Sequence, residues 1–117
     1  MGLNIDVREK ALIAAPNGEL DHHMAERLRS QIDAVYEKSS CRHIVLDMTG
    51  VGFMDSSGIG MIIGRYKNAE KRGGRLVLAG MDDHVTRLFE LSGLSKIVTR
   101  VKTVDAALEL LGGGGGE

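Results

Sequence analysis

Residues 43–48, His43-Ile44-Val45-Leu46-Asp47-Met48, form an almost unbroken apolar run, and residues 75–79 end in a second one, Leu76-Val77-Leu78-Ala79. Successive side chains of a strand point to opposite faces, so a strand that is apolar at every position must be covered on both sides. Between the two runs, Ile59, Ile62, Ile63, Tyr66 and Ala69 fall on one side of a wheel turned 100° per residue, the spacing of a helix. Doubly covered strands alternating with an amphipathic helix confine the chain to an α/β fold with helices over the sheet.

The remaining segments extend that pattern. Residues 3–8 and 11–15 read as two short strands joined by a tight turn at Glu9-Lys10, and Pro16, Asn17 and Gly18 are expected to break the second. Asp21 is placed to cap a helix whose stripe is Met24, Leu28, Ile32 and Val35, with Glu26, Arg27, Arg29, Asp33 and Lys38 on the opposite, wet face. Gly50-Val51-Gly52 is expected to turn the chain toward residues 53–58, where a second helix starts. That helix stops at Lys71-Arg72-Gly73-Gly74, with cations in the last turn and glycine beyond. Asp82-Asp83 open a third helix bearing Val85, Leu88 and Phe89, stopped by Gly93; residues 97–101 form a last short strand. Thr103 caps a final helix with Val104, Ala107, Leu108 and Leu111 on one side. The sum is a mixed sheet of four to five strands with about four helices and right-handed crossovers. One domain over residues 1–111 is expected, followed by a tail, 112–117, of five glycines and Glu117 that has nothing to bury and is expected to be disordered.

Bulk properties exclude several functions. Net charge is −1, so no general field draws nucleic acid or an anionic membrane, and 3% aromatic residues with no Trp leave little for base stacking. The one cysteine, Cys41, forbids an intrachain disulfide and suits a reducing compartment. The first residues lack a basic stretch followed by an apolar core, and no apolar stretch is long enough to span a bilayer, so a cytoplasmic protein is expected.

The chemistry-bearing segment is Asp55-Ser56-Ser57-Gly58-Ile59-Gly60-Met61-Ile62-Ile63-Gly64. It follows a strand and opens a helix, which sets its hydroxyls at the positive end of the helix dipole. Glycines in a helix cost about 1 kcal/mol each against alanine, so three of them need a reason. Ser56, Gly60 and Gly64 lie a turn apart along one flank, and Met61 is expected to point away from the core as an adaptable contact. Two readings stay open: a docking surface with Ser56 at its tip, or glycines that let the domain's own elements pack closely. Capping needs only one of Asp55, Ser56 and Ser57, and the others would sit exposed at an anion-tolerant helix end.

Other candidates are weaker. Ser56 lacks the G-x-S-x-G elbow of a nucleophile, and His22 and His23 are adjacent, about 100° apart on a helix, unlike an i, i+4 ligand pair. His43 and His84 are read as solvated histidines. Gly50-x-Gly52 and Gly58-x-Gly60 resemble fragments of a phosphate loop, but no Gly-Lys-Ser/Thr follows.

Gly18-Glu19-Leu20-Asp21-His22-His23 and Phe53-Met54-Asp55-Ser56-Ser57-Gly58-Ile59-Gly60, with Gly64-Arg65-Tyr66-Lys67 after, resemble the anti-sigma factor antagonists. The order of elements likewise resembles the STAS fold over about residues 1–111. The resemblance implies a partner switch without catalysis and without a cofactor of its own. The unmodified form would bind an anti-sigma factor that is also an ATP-dependent serine kinase, stage II sporulation protein AB, and so release sporulation sigma factor F. That kinase would phosphorylate Ser56, the serine directly after the aspartate, using the ATP it holds, and a serine phosphatase would reverse the step. The implied partner-facing residues are Glu19, Leu20, Asp21, His22, Asp55, Ser56, Ser57, Gly58, Gly60, Met61 and Gly64. Pro16-Asn17 departs from the family pattern, and the glycine tail has no counterpart role. A stress-response sigma cascade and a nucleotide-binding protein are the alternatives.

Overall fold

The computed structural model describes residues 2–112. In chain order the elements are β1 (Gly2–Arg8), β2 (Ala11–Leu20), α1 (His22–Lys38), β3 (His43–Asp47), β4 (Gly50–Met54), α2 (Ser56–Lys71), β5 (Leu76–Ala79), α3 (Asp83–Leu91), a 3-10 turn (Leu94–Lys96), β6 (Thr99–Val101) and α4 (Val104–Gly112). The sheet has six strands in the order β1-β2-β3-β5-β6, with β4 also paired to β2; β1 and β2 are antiparallel and every other pairing is parallel. The tail expected to be disordered beyond Gly112 lies outside the described residues.

Two expectations at the center of this sheet are corrected. β2 does not stop at Pro16 but runs to Leu20, and Gly50-Val51-Gly52 is not a turn but the start of strand β4. The reason is shared. β2 lies along β3 from Ala11 to Ala14 and along β4 from Asn17 to Leu20, while its other flank pairs with β1 up to Asn17. On the β3/β4 flank Pro16 falls in the gap between the two partners, where a missing N–H costs no ladder bond. Gly18, at φ +120°, marks a register shift rather than an end. The breaker residues signal a bulge, and pairing on both sides overrides them.

Side-chain alternation distributes the core as the apolar runs require. Leu12, Ala14, Ile44, Leu46, Leu76 and Leu78 point to the face covered by α1, α2 and α3, through Met24, Leu28 and Ile32, Ile62 and Ala69, and Val85 and Phe89. Ala11, Ile13, Val45, Val77 and Ala79 point to the other face, where α4 seals them with Ala107. Each fully buried leucine contributes about 1.5–3 kcal/mol relative to exposure. Caps follow the sequence: Asp21 Oδ1 accepts from the Met24 N–H at 3.0 Å, Asp82 Oδ1 from Val85 at 2.8 Å and Thr103 Oγ1 from Ala106 at 3.0 Å. α2 ends with Gly73 at φ +74° and the Gly74 N–H donating to the Ala69 carbonyl at 2.8 Å. Arg72 joins the ends of α1 and α2, stacking 3.9 Å over the Tyr36 ring and donating to the Tyr36 and Cys41 carbonyls at 2.8 and 2.9 Å.

His43 is buried at the start of β3, not solvated as expected, and its Nδ1 accepts the Arg75 N–H at 3.0 Å. Burial first, then the neighbouring Arg42 and Arg75 charges, pushes its pKa below the ordinary imidazole value. The folded state therefore holds the ring neutral, a contribution present above the unfolded pKa of about 6.5 and lost as pH falls through the lowered folded value. Urea denaturation at a series of pH values should show wild type losing stability below that point more steeply than His43→Asn, which keeps an acceptor but does not titrate. Parallel pH profiles would remove His43 as the cause.

Candidate functional site

The site is made by two strands that end together. β2 and β4 run parallel side by side, and each passes directly into a helix through an aspartate cap. Asp55 Oδ1 accepts from the Ser57 and Gly58 N–H groups at 2.8 and 3.3 Å, and the Asp55 N–H donates to the Leu20 carbonyl at 3.3 Å. The positive ends of α1 and α2 are thereby held next to each other. Asp55 is the cap, which frees Ser56, the first residue of α2, to stand exposed. Ser57 is half-buried, its Oγ 3.4 Å from His22 Nδ1 across the two helix starts.

The three glycines of α2 divide into two kinds. A Cβ on Gly58 would lie 2.9 Å from the Leu20 carbonyl oxygen and 3.0 Å from Leu20 Cγ, so this glycine lets α2 close onto β2. A Cβ on Gly60 or Gly64 would meet nothing within 4 Å. Those two flank an open groove of about 250 Å³ between α1 and α2, bounded by His22 and Ser57 at one end and by Arg29 and Arg65 further along. The close-packing reading therefore holds at Gly58, whereas Gly60 and Gly64 pack against nothing and leave the groove open.

Met61 is corrected: it is 5% exposed and belongs to the core, not to an outward contact face. α2 packs on α1 as well as on the sheet, so its buried side widens to Gly58, Met61, Ile62, Arg65 and Ala69, while Ile59, Ile63 and Tyr66 are half-buried. Asp33, expected in water on α1, is half-buried because Arg65 of α2 reaches it, Nε to Oδ1 at 3.0 Å. Val35, expected on the apolar stripe, is only half-buried, and Tyr36 takes the deeper position. Burial pushes the Arg65 pKa down, with the Asp33 carboxylate opposing that shift. At the rim, Arg29 donates to Glu26 and holds its carboxyl below the usual range.

Of the residues expected to face a partner, Glu19, His22, Ser56 and Gly60 are exposed, and Asp21, Asp55, Ser57 and Gly64 are half-buried. Leu20, Gly58 and Met61 are buried, so they shape the surface from beneath rather than offer side chains. Sequence reasoning assigned no role to Arg65 or Asp33, nor to Phe53, which is 38% exposed on β4 and stacks on His84 of α3 at 6.2 Å between centroids. The signal for Arg65 was a charge three residues after Ile62 and four before Ala69, on the buried side of the wheel. Among the described residues no His, Cys, Asp and Glu group could hold a metal ion, and no helix is long and apolar enough to cross a membrane.

The profile of the STAS domain matches residues 3–107. The chain belongs to the STAS domain family. Within it, the chain is an anti-sigma factor antagonist by descent. It is 41% identical over 100 residues to the anti-sigma F factor antagonist of Paenibacillus polymyxa, covering 84% of this chain and 86% of that one. It is 32% identical over 111 residues to the anti-sigma-B factor antagonist of Listeria monocytogenes, covering 92% and 96%. The structure of the anti-sigma factor antagonist SpoIIAA in its unphosphorylated form superposes with a TM-score of 0.80 at 26% identity, covering 93% and 96%.

The two kinds of glycine are separable by substitution. Gly58→Ala should lower stability by about 1–3 kcal/mol through overpacking. Gly60→Ala and Gly64→Ala should leave it unchanged or raise it by up to about 1 kcal/mol each through helix propensity. Urea denaturation of the three variants checks both.

Proposed function

We propose that the unphosphorylated chain binds an anti-sigma factor that is also a serine kinase, a counterpart of stage II sporulation protein AB, and thereby releases sporulation sigma factor F. Phosphorylation of Ser56 ends the interaction, and a serine phosphatase restores it. The chain acts in the cytoplasm as a binding module, not an enzyme, and needs no cofactor; the phosphoryl donor is ATP held by the partner. The observation that carries this reading is an exposed Ser56 beside a groove in which Gly60 and Gly64 leave the α2 backbone bare. Of the exposed partner-facing candidates, His22 and Ser56 open the two adjacent helices, Glu19 lies near the end of β2 just before the first, and Gly60 lies one turn into the second.

The chemistry asks little of this chain beyond placement. The Ser56 Oγ attacks the γ-phosphorus, the bond to the ADP oxygen breaks, and the hydroxyl proton leaves to a base of the kinase; positioning supplies most of the rate. The product carries about −1.5 to −2 charge at the start of α2, where the helix dipole tolerates it, so the fold survives. A partner surface shaped for a neutral hydroxyl does not tolerate it, because an unpaired charge buried at an interface is expensive.

Mass spectrometry after incubation with the kinase and ATP should find one phosphoryl group, on Ser56. Ser56→Ala should bind the kinase without accepting phosphate, and Ser56→Asp should fold yet bind poorly; wild-type affinity in Ser56→Asp would sink the charge mechanism. The relationship to an anti-sigma-B factor antagonist favours a second reading, a stress-response sigma cascade. Phosphorylation by the kinase of that pathway, and not by the sporulation kinase, would select it. Hydrolysis or tight binding of labelled ATP by the chain alone would instead point to a nucleotide-binding protein.

A further inference from the structure

A second concavity lies at the opposite end of the sheet from Ser56. β2 starts beside it at Ala11 and reaches the candidate site at Leu20, roughly 30 Å away at the usual rise of a strand. The hollow, about 250 Å³, opens between the β1–β2 turn, the start of β3 and the last turns of α4. The backbone gathers one polar wall: the Arg42 and His43 N–H groups both donate to the Lys10 carbonyl at 3.0 Å, which brings Lys10, Arg42 and His43 together. Ala11, Leu108 and Leu111 supply an apolar wall.

His43 gives the hollow a buried donor. The residue is 9% exposed, and strand alternation sets its side chain on the face of Val45, the face that α4 covers. Nδ1 is already spent as the acceptor of the Arg75 N–H, so the neutral ring carries its proton on Nε2. Among the described residues that N–H has no acceptor, and the unpartnered side-chain nitrogens sealed from solvent are those of Arg65, not of His43. The donor is therefore within reach of a visitor, through the hollow that His43 lines.

Lys10 and Arg42 are uncommitted as well: among the described residues neither side chain makes an ion pair, whereas Arg8 lies 3.7 Å from Asp6. One carboxylate also lines the hollow, Glu9, whose Oε1 would stand 3.4 Å from a Cβ on Gly112 at the negative end of α4. Two cations and an imidazole N–H on one wall suit a single negative charge, while Glu9 and the helix end oppose a dianion. The leucines opposite suit a hydrocarbon body.

We propose that this hollow binds a small aliphatic monocarboxylate, its oxygens held by His43 Nε2–H, Lys10 and Arg42 and its chain laid along Leu108 and Leu111. The site shares no residue with the Ser56 surface, so it stands whether or not the partner reading does.

The test titrates octanoate into the full chain labelled with nitrogen-15 and carbon-13. Saturable shifts of the His43 Nε2 nitrogen and of the Leu108 and Leu111 methyls are expected, with the Ser56 and Gly60 amides unmoved. Octanamide, which lacks the charge, and acetate, which lacks the body, should bind about tenfold more weakly or worse. Lys10→Gln/Arg42→Gln should lose about tenfold or more in octanoate affinity at an unchanged urea midpoint, because both side chains are exposed. Absence of saturation, equal binding of octanamide or acetate, tighter binding of inorganic phosphate, or wild-type octanoate affinity in the double variant overturns the proposal. If the double variant fails to fold, the comparison of the four probes on wild type decides.

Discussion

The pairing of the far half of β2 with β4 holds the candidate site of this protein together. Asn17–Leu20 lies parallel to Gly50–Met54, and because both strands run the same way they deliver two helix starts to one edge of the sheet. The bond from the Asp55 N–H to the Leu20 carbonyl ties the two junctions together, and Gly58 removes the one Cβ that would push them apart. Without this pairing Ser56 would still open a helix, but the α1 start would not lie beside it. A surface composed from residues some 35 positions apart, such as His22 and Ser57, exists only through that contact.

α2 then serves two masters along its length. Its sheet-facing side closes the core through Ile62 and Ala69, while its α1-facing side leaves Gly60 and Gly64 uncovered and joins Arg65 to Asp33. Helix propensity argues against both glycines and desolvation argues against Arg65, so this flank gives up stability at three positions within two turns. Conflicts between local preference and the observed residue gather where a fold is shaped for something outside itself. Here the two bare glycines border the groove next to the phosphoacceptor candidate.

Much of this architecture was legible in the chain. The runs ending in Met48 and Ala79 demanded cover on both faces, and α4 lies on the side opposite the other three helices. Caps at Asp21, Asp82 and Thr103 and the stop at Gly73-Gly74 were readable because they depend on neighbours a few residues away. The misreadings were all non-local. Pro16 and Gly18 look like an ending until β1 and β4 are laid against them, and Gly50-Val51-Gly52 has no strand character apart from β2. Met61 and Asp33 were assigned to water because a helical wheel assumes one buried face, whereas α1 and α2 each contact both the sheet and one another.

Periodicity and local hydrogen-bonding chemistry, carried wholly by the order of residues, determined the α/β class, the helix boundaries and the presence of a serine pair at a helix mouth. Which glycine packs inward and which stays bare, and which arginine is sealed away with its donors unspent, was decided only when strands distant in sequence paired and brought two helices into contact. Burial is a property of what lies opposite, and no residue carries that information alone.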